Sequence, residues 1–187
     1  MAEENLIKQT SDDMLVNLAR SGDLGAIDAL IDRYYDMCFR TCMTILRDQD
    51  YASDACQNCF LKIIKNIKKY RGDGSFRGWA LTIARNESLG FLRRIKLRKE
   101  VVVEGESLYA EEGKQNDISG DVIIKMEASR VRKAFTNLPE KQRLTVSLRI
   151  EDGFSFREIG RVIGSSEGSA RGNYYHGIRK LRKILES

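Results

Sequence analysis

The sequence predicts an all-α protein built from two small helical domains that a flexible linker joins. From residue 11 to residue 92, and again from residue 122, apolar residues recur every three or four positions, the period of an amphipathic helix. Strand-like alternation is missing apart from a short run at 101–103. Residues 100–120 lose the helical period and become acidic and glycine-bearing, as linkers do. We therefore expect a first domain over 11–99, a linker over 100–120 and a second domain over 121–187.

Caps and apolar stripes mark the helices of the first domain. Ser11 is placed to cap a first helix that carries Met14, Leu15, Leu18 and Ala19, and "SGD" ends it. A longer stripe runs from Ile27 to Ile45, "RDQD" breaks it, and the next stripe runs from Ala52 to Ile67. A last helix follows the basic, aromatic and glycine-rich turn "KKYRGDGSFRGW" and ends in "RRIKLRK".

The second domain carries the pattern of a helix-turn-helix. A helix over 122–137 is followed by one with Pro139 at its first turn. Ser155 and Glu158 then form a capping box that opens a short helix. The tight turn "IGSS" connects this helix to the final one, and the whole lies in a net-positive block.

Glycines on the final helix favour a DNA-binding face. At 100° per residue, one arc of about 80° collects the apolar side chains, namely Ala170, Tyr174, Ile178, Leu181 and Leu185. The far side holds Gly168, Gly172, Tyr175, His176, Arg179 and Lys183. A bare backbone at Gly172 lets the helix approach the major groove while Arg171, Tyr175 and His176 contact bases and phosphates. Gly177 lies beside the apolar stripe, where it permits close helix packing. The alternative is a purely structural helical hairpin.

Charge alternates along the chain although the formal net charge is only +5. It is −6 over residues 1–61, +10 over 62–99, −6 over 100–129 and +7 over 130–187. Two basic blocks separated by an acidic one predict two sites for a polyanion. The alternative is that the basic side chains simply solvate helix faces.

Several function classes find no support in the sequence. The acidic start "MAEENLIKQTSDD" is no secretory signal and no apolar run is long enough to span a bilayer, so we expect a cytoplasmic protein without membrane insertion. The phosphate-loop, zinc-protease and serine-hydrolase motifs are absent, which argues against an enzyme. We expect no cofactor.

Four cysteines and a single histidine complete the candidate chemistry. Cys38, Cys42, Cys56 and Cys59 have helical spacings that place each successive pair on one side of a helix. They could hold zinc, but their apolar surroundings favour buried thiols in a reduced cytosol. With no second histidine in the chain, His176 is better explained as a polar contact than as part of a histidine-based metal site or relay.

The segment "YRGDGSFRGWALTIARNESLGFLRR" interleaves aromatic residues with arginines. Such a mixture offers ring stacking and phosphate contacts to unpaired bases, which suits single-stranded DNA better than a closed duplex. The alternative is that Tyr70, Phe76 and Trp79 are ordinary core aromatics, and Trp79 shares a stripe with Ile83.

This segment and three others together resemble the extracytoplasmic-function (ECF) sigma factors, the minimal two-domain initiation factors of bacterial RNA polymerase. The others are "DLGAIDALIDRYYDMCFRTCMTIL", "DYASDACQNCFLKII" and "LPEKQRLTVSLRIEDGFSFREIGRVIGSSEGSARGNYYHGIRKLRK", and all four match in order. The resemblance implies a non-enzymatic factor that binds RNA polymerase core and directs it to promoters. The alternative function is a stand-alone helix-turn-helix regulator that binds duplex operator DNA through residues 122–187.

The resemblance also assigns surfaces. Docking on the β′ clamp helices of the polymerase falls to Asp54, Gln57, Asn58, Phe60 and Leu61. Melting and capture of the −10 element fall to Arg71, Ser75, Phe76, Arg77, Trp79, Arg85 and Asn86. Contact with the −35 element falls to Arg149, Arg171, Gly172, Tyr175, His176 and Arg179. The second domain is expected to dock on the β flap, an anti-sigma factor is a further candidate partner, and the free protein is expected to be a monomer.

Overall fold

The computed structural model describes residues 10–102 and 122–186, and within these ranges every regular element is a helix. The all-α prediction is therefore confirmed. The described residues form two compact units, one from each range.

The first unit contains four α-helices and a short 3₁₀ turn. Their bounds are α1 Asp12–Ser21, α2 Leu24–Leu46, α3 Gln49–Asn66, the 3₁₀ turn Ile67–Lys69 and α4 Phe76–Val102. Ser11 caps α1 as predicted, since its hydroxyl accepts a hydrogen bond from the Met14 backbone. Gly22, with φ of 97°, ends α1 in the left-handed conformation that favours glycine.

The core of the first unit lies where α2, α3 and α4 pack against one another, with α1 against α2. The stripe predicted for α1 is partly wrong, because Met14 and Leu18 are exposed and the buried face consists of Leu15, Val16 and Ala19. Helix α4 continues to Val102, three residues into the predicted linker. The rest of that linker lies outside the described residues and stays a prediction.

The second unit consists of four helices, and α8 packs against the other three. Their bounds are α5 Val122–Thr136, α6 Glu140–Ile150, α7 Phe156–Ile163 and α8 Glu167–Leu185. Pro139 precedes α6 as its N-cap rather than lying in its first turn.

Helices α7 and α8 form the predicted helix-turn-helix. The capping box is complete, because Ser155 and Glu158 each accept a hydrogen bond from the other's backbone. Gly164 ends α7 with φ of 64°, and Ser166 caps α8. A Cβ at Gly160 would lie 2.9 Å from the Ser165 carbonyl oxygen, so glycine allows the turn to close tightly against α7.

Candidate nucleic-acid and polymerase interfaces

The outer face of α8 is exposed as the helical spacing predicted. Tyr175 is 62% exposed, and the side chains of Arg171, His176 and Arg179 are also exposed. No atom lies within 4 Å of the position that a Cβ would occupy at Gly172, so the helix backbone is open there. The structure thus brings these five predicted residues together on one surface of the second unit.

Gly177 lies on the opposite side of the same helix. A Cβ at this position would come within 2.8 Å of Val146 Cγ2, and Gly177 is buried against α6. The expectation that Gly177 permits close helix packing is therefore confirmed.

Arg149 approaches this surface from the end of α6. Its Nη1 donates a hydrogen bond to the Phe154 carbonyl at 2.8 Å, and its guanidinium carbon lies 4.9 Å from the centre of the Phe156 ring. Arg171 lies 5.5 Å from the same ring centre and forms an ion pair with Glu167 at 3.2 Å. Two arginines assigned to DNA contact by resemblance thus share one aromatic neighbour.

Phe156 and Tyr174 lie beside these arginines, although neither is predicted from the sequence as part of this surface. Their rings meet nearly edge to face at 5.5 Å, and Tyr174 contacts Tyr175 at 5.7 Å. The available signal for Phe156 was its place directly after the capping residue Ser155. Side chains in a helix point back toward its N-terminus, so an aromatic ring in the first turn packs against residues of the preceding loop.

An aromatic cluster supports the segment assigned to the −10 element. The Phe76 ring centre lies 5.4 Å from that of Tyr34, 5.6 Å from that of Tyr70 and 5.6 Å from that of Trp79. Phe76 is only 3% exposed, so its ring belongs to the core and is not presented for stacking on a base. The assignment of Phe76 to the −10 element therefore stays a prediction, for a ring that packs beside the exposed residues. Trp79 is half-buried.

The loop from Arg71 to Ser75 is exposed next to this cluster. The Tyr70 hydroxyl donates to the Gly74 carbonyl at 2.5 Å, which ties the loop to the buried rings. Ser75 Oγ accepts from the Gly78 backbone at 3.2 Å at the start of α4. The loop is therefore held at both ends while its basic residue Arg71 faces solvent.

The remaining polar residues assigned to the −10 element lie along α4. Asn86 is exposed, whereas Arg77 and Arg85 are half-buried. Arg85 Nη1 lies 3.5 Å from Asn86 Oδ1, and its buried Nε has no hydrogen-bond partner among the described residues. Of the predicted −10 residues, the structure thus shows Arg71, Ser75 and Asn86 exposed, Arg77, Trp79 and Arg85 half-buried and Phe76 buried, and it brings Arg85 and Asn86 into contact.

Tyr34, which lies on α2 and contacts the aromatic cluster, joins α2 to α1. Its hydroxyl donates a short hydrogen bond to Asp12, whose carboxylate also pairs with Arg33 at 2.7 Å. Burial, followed by the hydrogen bond and the negative charge of Asp12, raises the pKa of Tyr34 far above its ordinary value. The phenol therefore stays protonated and keeps α1 joined to α2.

Helix α3 presents the predicted docking residues on two different sides. Asp54, Gln57 and Leu61 are exposed, with Leu61 at 64%, and Asn58 is half-buried. Phe60 is only 7% exposed, and its ring stacks on Tyr35 at 6.1 Å. The assignment of Phe60 to polymerase docking therefore stays a prediction, for a ring that packs in the core under the exposed side of α3.

All four cysteines are buried, as the thiol interpretation predicted. Cys42 faces Cys56 and Cys38 faces Cys59 across α2 and α3, and hydrogen bonds to these partners together with burial raise the pKa of Cys56 and Cys59. Among the residues that the structure describes, no group of three or more potential metal ligands comes together. The thiols act as small core side chains.

Comparison with known proteins places both units in one family. The family model described as Sigma-70 region 2 matches residues 30–98, and that described as Sigma-70, region 4 matches residues 128–181. The ECF RNA polymerase sigma factor SigW of Bacillus subtilis is 26% identical over 176 residues, which cover 91% of this chain and 94% of SigW. The chain belongs to the ECF sigma factors.

Two solved structures share the fold of this sigma factor. CnrH, in complex with the cytosolic domain of CnrY, has a TM-score of 0.69 at 19% identity and covers 94% of this chain and 97% of its own. The sigma factor RpoE of Bartonella quintana, in complex with the anti-sigma factor NepR, also has a TM-score of 0.69, at 18% identity, and covers 85% and 96%. At these identities the likeness shows a shared fold.

As an ECF sigma factor, the protein acts in transcription initiation with RNA polymerase, and sigma factors are not enzymes. A stand-alone helix-turn-helix regulator is not favoured, because the first unit matches a sigma region that such a protein does not need. None of the helices within the described ranges has both the length and the apolar character to cross a membrane.

Proposed function

We propose that this sigma factor directs RNA polymerase to specific promoters by recognising the −35 element with the second unit. The supporting observation is the exposed face of α8, where Arg171, Tyr175, His176 and Arg179 surround the open backbone at Gly172. A helix of this kind enters the major groove, and its bare backbone allows close approach while the side chains contact base edges and phosphates. Arg149 adds a positive charge at the same surface.

The first unit opens and holds the −10 element. Opened DNA exposes bases that must be held, and protein contacts offset the stacking that is lost. The exposed Arg71, Ser75 and Asn86, with the half-buried Arg77, Trp79 and Arg85, carry these contacts. Phe76 supports them from the core.

The exposed side of α3 docks on the β′ clamp helices, through Asp54, Gln57 and Leu61 with the half-buried Asn58. Leu61, 64% exposed, offers an apolar contact to a protein partner at this surface. The second unit docks on the β flap. The two proposed domains span residues 11–99 and 121–187, and residues 100–120 form the linker between them.

The remaining partners and the location follow from the same proposal. The free protein is a cytoplasmic monomer, and an anti-sigma factor holds it inactive, since the structures similar in fold include RpoE in complex with an anti-sigma factor. Gel filtration of the free protein and co-purification from the native host test these two points.

The decisive experiment compares Arg171→Ala with Arg130→Ala in reconstituted transcription. Arg130 is exposed on α5, so its variant removes the same charge from a different helix of the same unit. Promoters are first obtained by sequencing the transcripts that core polymerase and this protein make on genomic DNA. Because a base or phosphate contact by an arginine contributes about 1–3 kcal/mol, Arg171→Ala is expected to lower −35-dependent initiation about tenfold while core binding is kept.

The control should retain wild-type initiation from the same promoters. Equal activity of the two variants would refute −35 recognition by α8. Failure of the wild-type protein to bind core polymerase, or binding of duplex DNA by the free protein as tightly as by the holoenzyme, would overturn the wider proposal.

A further inference from the structure

The two arginines at the −35 surface come from different helices and meet at one ring. Arg149 lies at the end of α6 and Arg171 in the first turns of α8, yet their guanidinium carbons lie 4.9 and 5.5 Å from the centre of the Phe156 ring. Phe156 is the first residue of α7 and is half-buried. These distances fall within the range in which a cation is attracted to an aromatic ring.

We propose that Phe156 is a positioning residue for promoter recognition, whose ring holds Arg149 and Arg171 at a fixed spacing. The inference rests on the proposed contact of these arginines with the −35 element. Phe156 itself need not touch DNA.

Each arginine is restrained by the ring and by one further polar contact. Arg149 donates to the Phe154 carbonyl at 2.8 Å, and Arg171 pairs with Glu167 at 3.2 Å. A guanidinium has five N–H donors, so one such contact leaves most of them for DNA. A long side chain that is already ordered loses less conformational entropy when it binds.

The ring itself is held in place by α8. Tyr174 meets Phe156 nearly edge to face at 5.5 Å, and Tyr174 lies next to the exposed Tyr175 along the helix. Any movement of the ring would therefore change the position of both arginines relative to the outer face of α8.

The shared ring also limits how far apart the arginines can reach. Because both guanidinium carbons lie close to one centroid, they are separated by at most about 10 Å. Successive base pairs rise about 3.4 Å along the helix, so the pair spans at most about three base pairs. Both arginines thus contact the same short stretch of the −35 element.

A purely structural role for Phe156 makes a different prediction. If the ring only packed α7 against α8, replacing it would impair the protein whether or not the arginines were present. If the ring acts through the arginines, its replacement should matter only while they are there. A double-mutant cycle distinguishes the two cases.

The experiment measures −35-dependent initiation by reconstituted holoenzyme carrying Phe156→Leu, Phe156→Tyr, Arg149→Ala with Arg171→Ala, or this arginine pair together with Phe156→Leu. Leucine keeps an apolar side chain and removes the ring, whereas tyrosine keeps the ring. The variants that lack Arg149 and Arg171 are assayed at holoenzyme concentrations high enough to give measurable initiation. Urea denaturation of each variant reports the fold separately.

We expect Phe156→Leu to lower initiation about fivefold in the wild-type background and less than twofold without the arginines, with Phe156→Tyr close to wild type. A loss of equal size in both backgrounds, or no loss in the wild-type background, would overturn the inference while leaving the −35 proposal intact. If the arginine pair variant initiates as well as wild type, the −35 assignment of these arginines fails and the inference fails with it.

Discussion

Two glycines of α8 should respond in opposite ways to the same substitution. At Gly172 an added Cβ meets nothing within 4 Å, whereas at Gly177 it would lie 2.8 Å from Val146 Cγ2 and 3.6 Å from Gln142. Replacing glycine by alanine inside a helix contributes up to about 1 kcal/mol of stability through reduced backbone entropy in the unfolded chain. This gain applies to both positions.

The packing cost applies only to Gly177. Val146 is buried and β-branched, and in a helix such a side chain has one strongly preferred rotamer, so its methyl group cannot turn away. Overpacking of this kind costs about 1–3 kcal/mol. Because the helix-propensity gain is shared, the two variants should differ in free energy of unfolding by about 1–3 kcal/mol, with Gly172→Ala the more stable.

Urea denaturation of the full chain, followed by circular dichroism, measures this difference within one helix of one unit. Arginine at each position sharpens the comparison, since Gly172→Arg should disturb −35-dependent transcription while Gly177→Arg should damage the fold. Equal denaturation midpoints for Gly172→Ala and Gly177→Ala would refute the packing argument.

Three further predictions concern the first unit. Leu61→Ala should weaken binding to core polymerase in a pull-down while changing the free energy of unfolding by less than about 0.5 kcal/mol, with the 74% exposed Leu24 replaced by alanine as the control. Phe60→Ala should instead destabilise the unit by about 3–5 kcal/mol because it leaves a cavity, and an unchanged midpoint would contradict its burial. Burial and the Asp12 hydrogen bond raise the pKa of Tyr34, so its contribution is present below the unfolded pKa of about 10 and is lost at higher pH. Wild type should therefore lose stability relative to Tyr34→Phe as pH rises above 10, and parallel stability curves would count against this.

The sequence was sufficient for the helices because their ends are determined locally. The hydroxyl of Ser11 and the reciprocal pair Ser155 and Glu158 each act on backbone groups within three residues. Such signals are visible without knowledge of the fold. The angular placement of Gly172 and Gly177 also succeeded, because α8 has one apolar side and one polar side.

Burial was less predictable where a helix offers two apolar faces. In α1, Met14 and Leu18 have the same spacing as Leu15 and Ala19, and periodicity does not say which pair faces α2. The contact of Arg149 and Arg171 with Phe156 is not predictable from the sequence, because it depends on how three helices pack. Tertiary packing decides both.

The two buried rings among the predicted site residues, Phe60 and Phe76, have one physical explanation. Phe60 precedes the exposed Leu61, and Phe76 follows the exposed Ser75, so each buried ring is adjacent in sequence to a residue on a proposed binding surface. A motif that is recognised by resemblance contains both kinds of residue, since a surface side chain keeps its position only when its neighbour is packed. Loss of activity on alanine substitution is therefore expected for both kinds. Only the accompanying change in the free energy of unfolding distinguishes an exposed residue that touches the partner from a buried residue that holds it in place. Leu61 and Phe60 provide the most direct comparison.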